Sequence, residues 1–166
     1  EDAVNGVNPP YFNLENSHWA DSLLATMSLE EKIGQLFMVA ANGKHLDENY
    51  YRQVDSLIIN YNIGGLIFFQ SGPIELKNLL KRYNSISPTK LLVGLDAEWG
   101  AAMRLDSTEQ LPWMMTLGAI QNDDLIYNFG EIVADQLNQL GVHINFAPVL
   151  DINNNPLNPI IDRRSF

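Results

Sequence analysis

The chain of 166 residues is 46% hydrophobic, and its 10 Lys and Arg against 20 Asp and Glu give a formal net charge of −10. This size and composition predict one globular domain with a real core, and the acidic balance argues against nucleic acid or an anionic membrane surface as a partner. The absence of Cys excludes disulfides and thiolate sites, and no apolar run is long enough to span a bilayer.

The first third of the chain predicts an arm, two short helices and a strand. Residues 1–18 are polar and contain Pro, which favours an extended N-terminal arm, with a loose tail as the alternative. Apolar spacing predicts a short helix at 19–27. Ser28 and Glu31 then form a capping-box pattern that starts a second helix, and the apolar run at 35–40 predicts the first buried strand.

From there the pattern alternates between helical spacing and short apolar runs. It predicts helices at 47–61, 73–87 and 122–140, and strands at 66–69, 91–95 and 142–150. A long polar connection to about Gln121 follows the third strand. Strand–helix alternation of this kind predicts an α/β fold with right-handed βαβ units and a parallel sheet.

Polar residues follow several of the predicted strands at their carboxyl ends. Because parallel strands end at the same edge, the sequence predicts that these residues cluster on one rim: Gln70-Ser71, Asp96 with Glu98, and Asp151–Asn153. Carboxylates, amides and hydroxyls together suit sugar hydroxyls, since one carboxylate can accept from two adjacent OH groups. Asp96 could equally cap a loop, and a paired-carboxylate glycosidase built on Asp96 and Asp151 is a further reading.

Other conspicuous side chains have ordinary structural explanations. Trp99 and Trp113 could stack on a sugar, but packing is the more common use of such rings. His143 is expected to be a hydrogen-bonded core residue rather than a ligand. The Arg163-Arg164 pair is expected, on pattern alone, to be solvated.

Five segments, in this order and spacing, resemble the amino-terminal catalytic domain of glycoside hydrolase family 3, over roughly residues 23–166. They are Ser28–Phe37 (SLEEKIGQLF), Ile63–Phe69 (IGGLIFF), Leu95–Gly100 (LDAEWG) with Arg104, Asn145–Asp151 (NFAPVLD) and Asn158–Phe166 (NPIIDRRSF). The nearest branch by this resemblance is the bacterial β-N-acetylhexosaminidases. Ala97 and Trp99 stand where that branch commonly has Gln and Gly, and Asp162 stands where Gly is usual.

The resemblance implies a (β/α)₈ barrel of the TIM type, with its site at the carboxyl-terminal mouth. Residues 19–166 would supply about four βα units of it. Asp96 would bind hydroxyls of the non-reducing terminal sugar, and Arg104 and Arg164 would line the same subsite. No metal or other cofactor is implied.

The resemblance also implies that no catalytic group lies in this chain. The acid/base His-Asp pair follows a Lys-His loop beyond the Arg-Ser-Phe segment in this branch, and the nucleophilic Asp comes later still. We therefore expect a fragment of the catalytic domain that is inactive alone and associates with the remaining half of the barrel, or with itself, through open sheet edges.

The expected activity of the whole protein is retaining hydrolysis of terminal β-linked N-acetylhexosamine. A family 3 β-glucosidase and a non-catalytic carbohydrate-binding α/β module are the alternatives. A periplasmic or other extracytoplasmic location is expected from the branch and the non-Met start, with a cytoplasmic one as the alternative.

Overall fold

The structure is a computed structural model, and it describes residues 18–44, 47–155 and 157–166. The arm predicted for residues 1–18 lies outside the described residues except for His18, which begins the first helix. None of the helices among the described residues is both long and apolar enough to cross a membrane.

After two short helices, strands and helices alternate along the chain, except that two helices lie between the third and fourth strands. The helices are α1 (His18–Thr26), α2 (Leu29–Gly34), α3 (Glu48–Tyr61), α4 (Pro73–Ile86), α5 (Met114–Gly118) and α6 (Asp123–Leu140). The strands are β1 (Met38–Ala41), β2 (Gly65–Phe68), β3 (Leu92–Leu95) and β4 (Ile144–Asn145). Single 3₁₀ turns lie at Ala101–Met103 and Asp162–Arg164.

Local sequence signals explain where the helices begin and end. The Ser28 hydroxyl accepts from the Glu31 amide at 3.2 Å, and the Glu31 carboxylate accepts from the Ser28 amide at 2.8 Å, so the capping box is confirmed. Asn122 caps α6 by accepting from the Asp124 amide. Gly141 ends that helix at φ 77°, a left-handed conformation that glycine adopts without a side-chain clash.

The four strands form one parallel sheet in the order β1-β2-β3-β4. Each strand lies beside the one that precedes it in the chain, and the order never reverses. A doubly wound sheet reverses its order at a switch point, whereas a (β/α)₈ barrel adds its strands in sequence. The sheet is therefore an arc of a TIM-type barrel, as predicted.

The core forms where α3, α4 and α6 pack against the strands. It is built from buried residues of each element, including Ile58 of α3, Leu76 and Tyr83 of α4, Leu137 of α6, and Leu66, Phe68, Val93 and Leu95 of β2 and β3. These are the apolar positions at helical and strand spacing, so burial follows the sequence pattern.

The first strand is shorter than predicted. Gln35 and Leu36 lie in the turn that ends α2, and the Leu36 side chain is 84% exposed. The Gln35 amide continues the helix by donating to the Glu31 carbonyl at 3.0 Å, which delays the start of β1 to Met38.

The last strand differs more from the prediction. Only Ile144 and Asn145 pair with β3, because β3 itself ends at Leu95. The ladder closes with one more bond, from the Phe146 amide to the Leu95 carbonyl at 2.9 Å. His143 is hydrogen-bonded, since its Nδ1 accepts from the Val93 amide at 3.0 Å, but it is exposed at the sheet edge rather than in the core.

Candidate functional site

The turn after β3 carries Asp96 and Glu98 and is held by side chains from two other elements. Asn145 of β4 accepts from the Ala97 amide at 3.0 Å, and Gln136 of α6 accepts from the Ala101 amide at 2.9 Å. Gly100, at φ 82°, makes the tight bend between them. The backbone that presents the two carboxylates is thus fixed from both sides.

Asp96 forms an ion pair with Arg104 at the end of the same turn. The two side chains are 21% and 22% exposed, so each keeps an accessible edge. Arg104 is also held through its backbone, because its carbonyl accepts from the Ser71 amide at 3.3 Å. This bond ties the turn after β3 to the end of β2.

Glu98 forms a second ion pair, with Arg164. The Arg164 Nε donates to both Glu98 carboxylate oxygens at 3.0 and 3.2 Å, and Nη2 donates to Oε1 at 2.6 Å. The Glu98 side chain is 3% exposed and that of Arg164 is 30% exposed. Removing Arg164 is costly, because it leaves the buried Glu98 carboxylate without a compensating charge.

The pKa of the Arg164 guanidinium is affected chiefly by Glu98, with smaller effects from Asp151 and Asp96. The Glu98 hydrogen bonds raise the pKa of Arg164 above its ordinary value, against the lowering effect of partial burial, and the charges of Asp151 and Asp96 raise it further. Asp96, Arg104 and Arg164 lie on the same rim of the sheet, because Asp96 and Glu98 leave the same turn and each binds one of the two Arg residues. Their predicted role in binding substrate stays a prediction.

Arg163 is directed away from this pair toward an aromatic contact. Its Cζ lies 5.0 Å from the Trp113 ring centroid, and Trp113 in turn lies 4.0 Å from Trp99 between centroids. The two Trp rings thus pack on each other. Of the two Arg residues predicted to be solvated, only Arg163 is exposed, at 60%, and its ion pair with Asp162 lies at the surface. Arg164 is 30% exposed and pairs with the buried Glu98.

The turn that carries both Arg residues has a left-handed residue at its start. Asp162 has φ 37°, a region in which glycine is favoured and Asp is among the better-tolerated alternatives. The position at which the resemblance expects Gly therefore keeps a conformation suited to Gly.

Of the remaining residues predicted for the rim, some form hydrogen bonds within the protein and others are exposed to solvent. Ser71 is buried and its hydroxyl donates to the Gly72 carbonyl at 2.9 Å, so it is used internally. Gln70 is exposed, and its carbonyl accepts from the Gly43 amide at 2.6 Å. Asp151 is exposed, and Asn153 donates to the Asp162 carbonyl at 3.4 Å.

The comparisons with known proteins identify the family. The model of the glycosyl hydrolase family 3 N-terminal domain matches residues 28–166. The chain belongs to glycosyl hydrolase family 3.

Curated relatives in this family carry hexosaminidase names. The chain is 33% identical over 127 residues to β-hexosaminidase A of Pseudoalteromonas piscicida, covering 69% of this chain and 21% of that protein. It is 32% identical over 141 residues to the β-hexosaminidase of Thiobacillus denitrificans, covering 79% of this chain and 38% of that protein. The chain thus spans between a fifth and two fifths of these relatives.

A solved structure supports the same fold. The β-glucoside phosphorylase BglX bound to 2FGlc matches with a TM-score of 0.81 at 21% identity, over 93% of this chain and 28% of that chain. At this identity the likeness shows the fold alone, and it agrees with the sequential parallel sheet described above.

The rim offers two kinds of group that can bind a polar ligand. Its carboxylates can accept hydrogen bonds from hydroxyl groups, and its guanidiniums can donate them. Among the described ranges, no cluster of three or more His, Asp or Glu has the arrangement of a metal site.

Sequence reasoning missed the two side chains that fix the turn, Asn145 and Gln136, and the partner of Arg164. Asn145 stands in a segment that carried the resemblance, so a signal for it existed. Nothing in the sequence distinguishes Gln136 from other polar residues of α6.

Proposed function

We propose that this family 3 chain supplies the terminal-sugar subsite of an exo-glycosidase that removes β-linked N-acetylhexosamine. The observation that carries the proposal is the pair of ion pairs on one rim, Asp96–Arg104 and Glu98–Arg164, at the carboxyl end of a barrel strand. The hexosaminidase names of the relatives at 32–33% identity support this substrate class.

Within the subsite, Asp96 accepts hydrogen bonds from sugar hydroxyls. Its carboxylate is 21% exposed and has oxygen lone pairs beyond those used by Arg104. The two Arg residues donate to sugar oxygens, and their fixed forks give directional recognition that a flexible Lys cannot give.

The reactive groups come from polypeptide outside residues 1–166 in this proposal. They comprise a nucleophilic carboxylate, which forms a covalent glycosyl intermediate with retention of configuration, and an acid/base pair. The coverage of the relatives supports this division, since 62% or more of each lies outside the match.

The exposed apolar surface after β4 supports the same view. Leu150, Ile152 and Leu157 are 88%, 77% and 88% exposed, and a cavity of about 450 Å³ between α5, α6 and β4 is lined mainly by apolar side chains. Exposure of so much apolar surface to water is unfavourable, and in this proposal the remaining strands and helices of the barrel bury it.

The test compares two aryl glycosides on two polypeptides. The complete polypeptide that contains this chain is expected to hydrolyse an aryl N-acetyl-β-glucosaminide faster than the matching β-glucoside, and residues 1–166 alone are expected to hydrolyse neither. Faster hydrolysis of the glucoside would contradict the substrate class. Hydrolysis by residues 1–166 alone at the rate of the complete polypeptide would contradict the division of roles.

A further inference from the structure

Glu98 is a buried carboxylate that depends on a single partner. Among the described residues its two oxygens accept hydrogen bonds from Arg164 alone, at 2.6 to 3.2 Å. The side chain is 3% exposed, so water contributes little to its compensation. The same contact compensates the Glu98 carboxylate and fixes the orientation of the Arg164 guanidinium.

The segment that carries Arg164 has few other supports. Between β4 and Phe166, the described residues contain no helix or strand longer than the 3₁₀ turn Asp162–Arg164. The bonds within that turn, such as Arg164 amide to Ile161 carbonyl at 2.7 Å, are local.

Among the described residues, three contacts illustrate how the turn is connected to the body of the domain. Arg163 lies over Trp113, the Phe166 backbone lies so close to α5 that a Cβ on Gly118 would come within 2.8 Å of it, and Arg164 pairs with Glu98. Of these three, only Glu98 holds the Arg164 side chain itself.

In the described part of the chain, two N–H groups of Arg164 remain available to a ligand. A guanidinium has five N–H groups. The Nε–H and one Nη2–H of Arg164 go to Glu98, and one Nη1–H goes to the Ile160 carbonyl at 3.2 Å. One N–H on each terminal nitrogen has no acceptor among the described residues.

Because the guanidinium is planar, its orientation fixes the directions of all its N–H groups. Because the Nε–Nη2 edge is locked against Glu98, the directions of the two free N–H groups are locked as well. Without the carboxylate, the side chain regains rotamer freedom that has to be lost again when a ligand binds.

We infer that Glu98 is a positioning residue, which orients the free N–H groups of Arg164 toward the sugar. The inference rests on the proposed function, in which Arg164 contacts the terminal sugar. Glu98 itself makes no contact with the ligand and acts only through Arg164.

The test uses the complete polypeptide and the variants E98Q, R164M and E98Q/R164M, with E131Q as the matched control. Glu131 is an exposed carboxylate on α6, so E131Q makes the same change of charge away from the rim. The measurements are KM and kcat on the aryl N-acetylglucosaminide, the inhibition constant Ki of N-acetylglucosamine, and the thermal midpoint.

E98Q is expected to raise KM and Ki together by about tenfold to a hundredfold, which is the range for one charge-assisted contact. E131Q is expected to change neither. In the R164M background, E98Q is expected to leave Ki unchanged and to raise the thermal midpoint, because it removes a buried carboxylate that has lost its partner.

The outcomes separate this inference from the proposed function. If R164M raises Ki and E98Q does not, the positioning role is wrong and the sugar-binding role of Arg164 stands. If E98Q raises Ki further in the R164M background, Glu98 acts on its own and the inference is wrong. If R164M leaves Ki unchanged, the role of Arg164 in the proposed function fails, and the positioning role fails with it.

Discussion

The Arg104 guanidinium pairs with Asp96, eight residues before it in the chain, and also lies over the Phe69 ring, with Cζ 4.9 Å from the ring centroid. One side chain thus connects the carboxyl ends of β3 and β2. Both contacts exploit the flat, delocalised guanidinium, and an ammonium group cannot reproduce them together.

Arg104→Lys therefore tests whether shape as well as charge matters at the rim. We expect Ki for N-acetylglucosamine in the complete polypeptide to rise about tenfold, with a loss of about 1 kcal/mol in the free energy of unfolding. Arg52→Lys is the control, since Arg52 is 71% exposed and is expected to show neither effect. An unchanged Ki in Arg104→Lys would mean that positive charge alone is needed.

Much of the fold could be predicted from sequence because its signals are local. The capping box at Ser28, the Asn122 cap and the stop at Gly141 depend on residues within a few positions of each other. The placement of Asp96 needed only one further rule, that parallel strands end on the same edge.

The rest depended on contacts that no local pattern encodes. Glu98 and Arg164 are 66 residues apart, and the local pattern does not tell which of Arg163 and Arg164 enters the site; only the family resemblance singled out Arg164. The length of β4 is set by its pairing with β3, which ends at Leu95, and the apolar run at 142–150 does not encode that pairing.

A charge cluster between α3 and α4 gives the chain a specific pH dependence. Arg82 donates to Asp55 at 2.6 Å and to Glu48 at 2.7 Å, which raises the pKa of Arg82 and lowers the pKa of Glu48. Arg82→Met is expected to reduce the free energy of unfolding by about 1 kcal/mol near neutral pH, chiefly through the half-buried Asp55.

The sign of the pH effect follows from the lowered pKa of Glu48. Its contribution is present above the ordinary value of 4.5 and is lost as pH falls through the lower folded-state pKa. The stability difference between wild type and Arg82→Met, measured by urea titration, should therefore narrow at acidic pH. Lys81 is an exposed neighbour, and Lys81→Met should have the wild-type free energy of unfolding at every pH. If the stability difference between wild type and Arg82→Met widened at acidic pH, the role assigned to the Arg82–Glu48 pair would be refuted.

Two glycines in helices are expected to respond in opposite directions to alanine. A Cβ on Gly34 of α2 would lie 1.7 Å from the Tyr61 carbonyl oxygen, whereas nothing lies within 4 Å of a Cβ on Gly130 of α6. Gly34→Ala should cost about 2 kcal/mol or more, because backbone atoms must move. Gly130→Ala should stabilise by about 0.5–1 kcal/mol through helix propensity.

Chemical denaturation of the two variants side by side measures both effects. The contrast tests the close packing of the end of α2 against the end of α3. Equal stabilities for Gly34→Ala and Gly130→Ala would show that this packing is looser than the structure has it.

The affinity of N-acetylglucosamine for Asp96→Asn in the complete polypeptide, measured by calorimetry, tests the sugar-binding role of the rim most directly. The rim predicts a loss of affinity of about tenfold or more, since a carboxylate acceptor is replaced by an amide. The exposed Asp135→Asn on α6 should bind as wild type does. Wild-type affinity in a folded Asp96→Asn variant would contradict the role assigned to the rim.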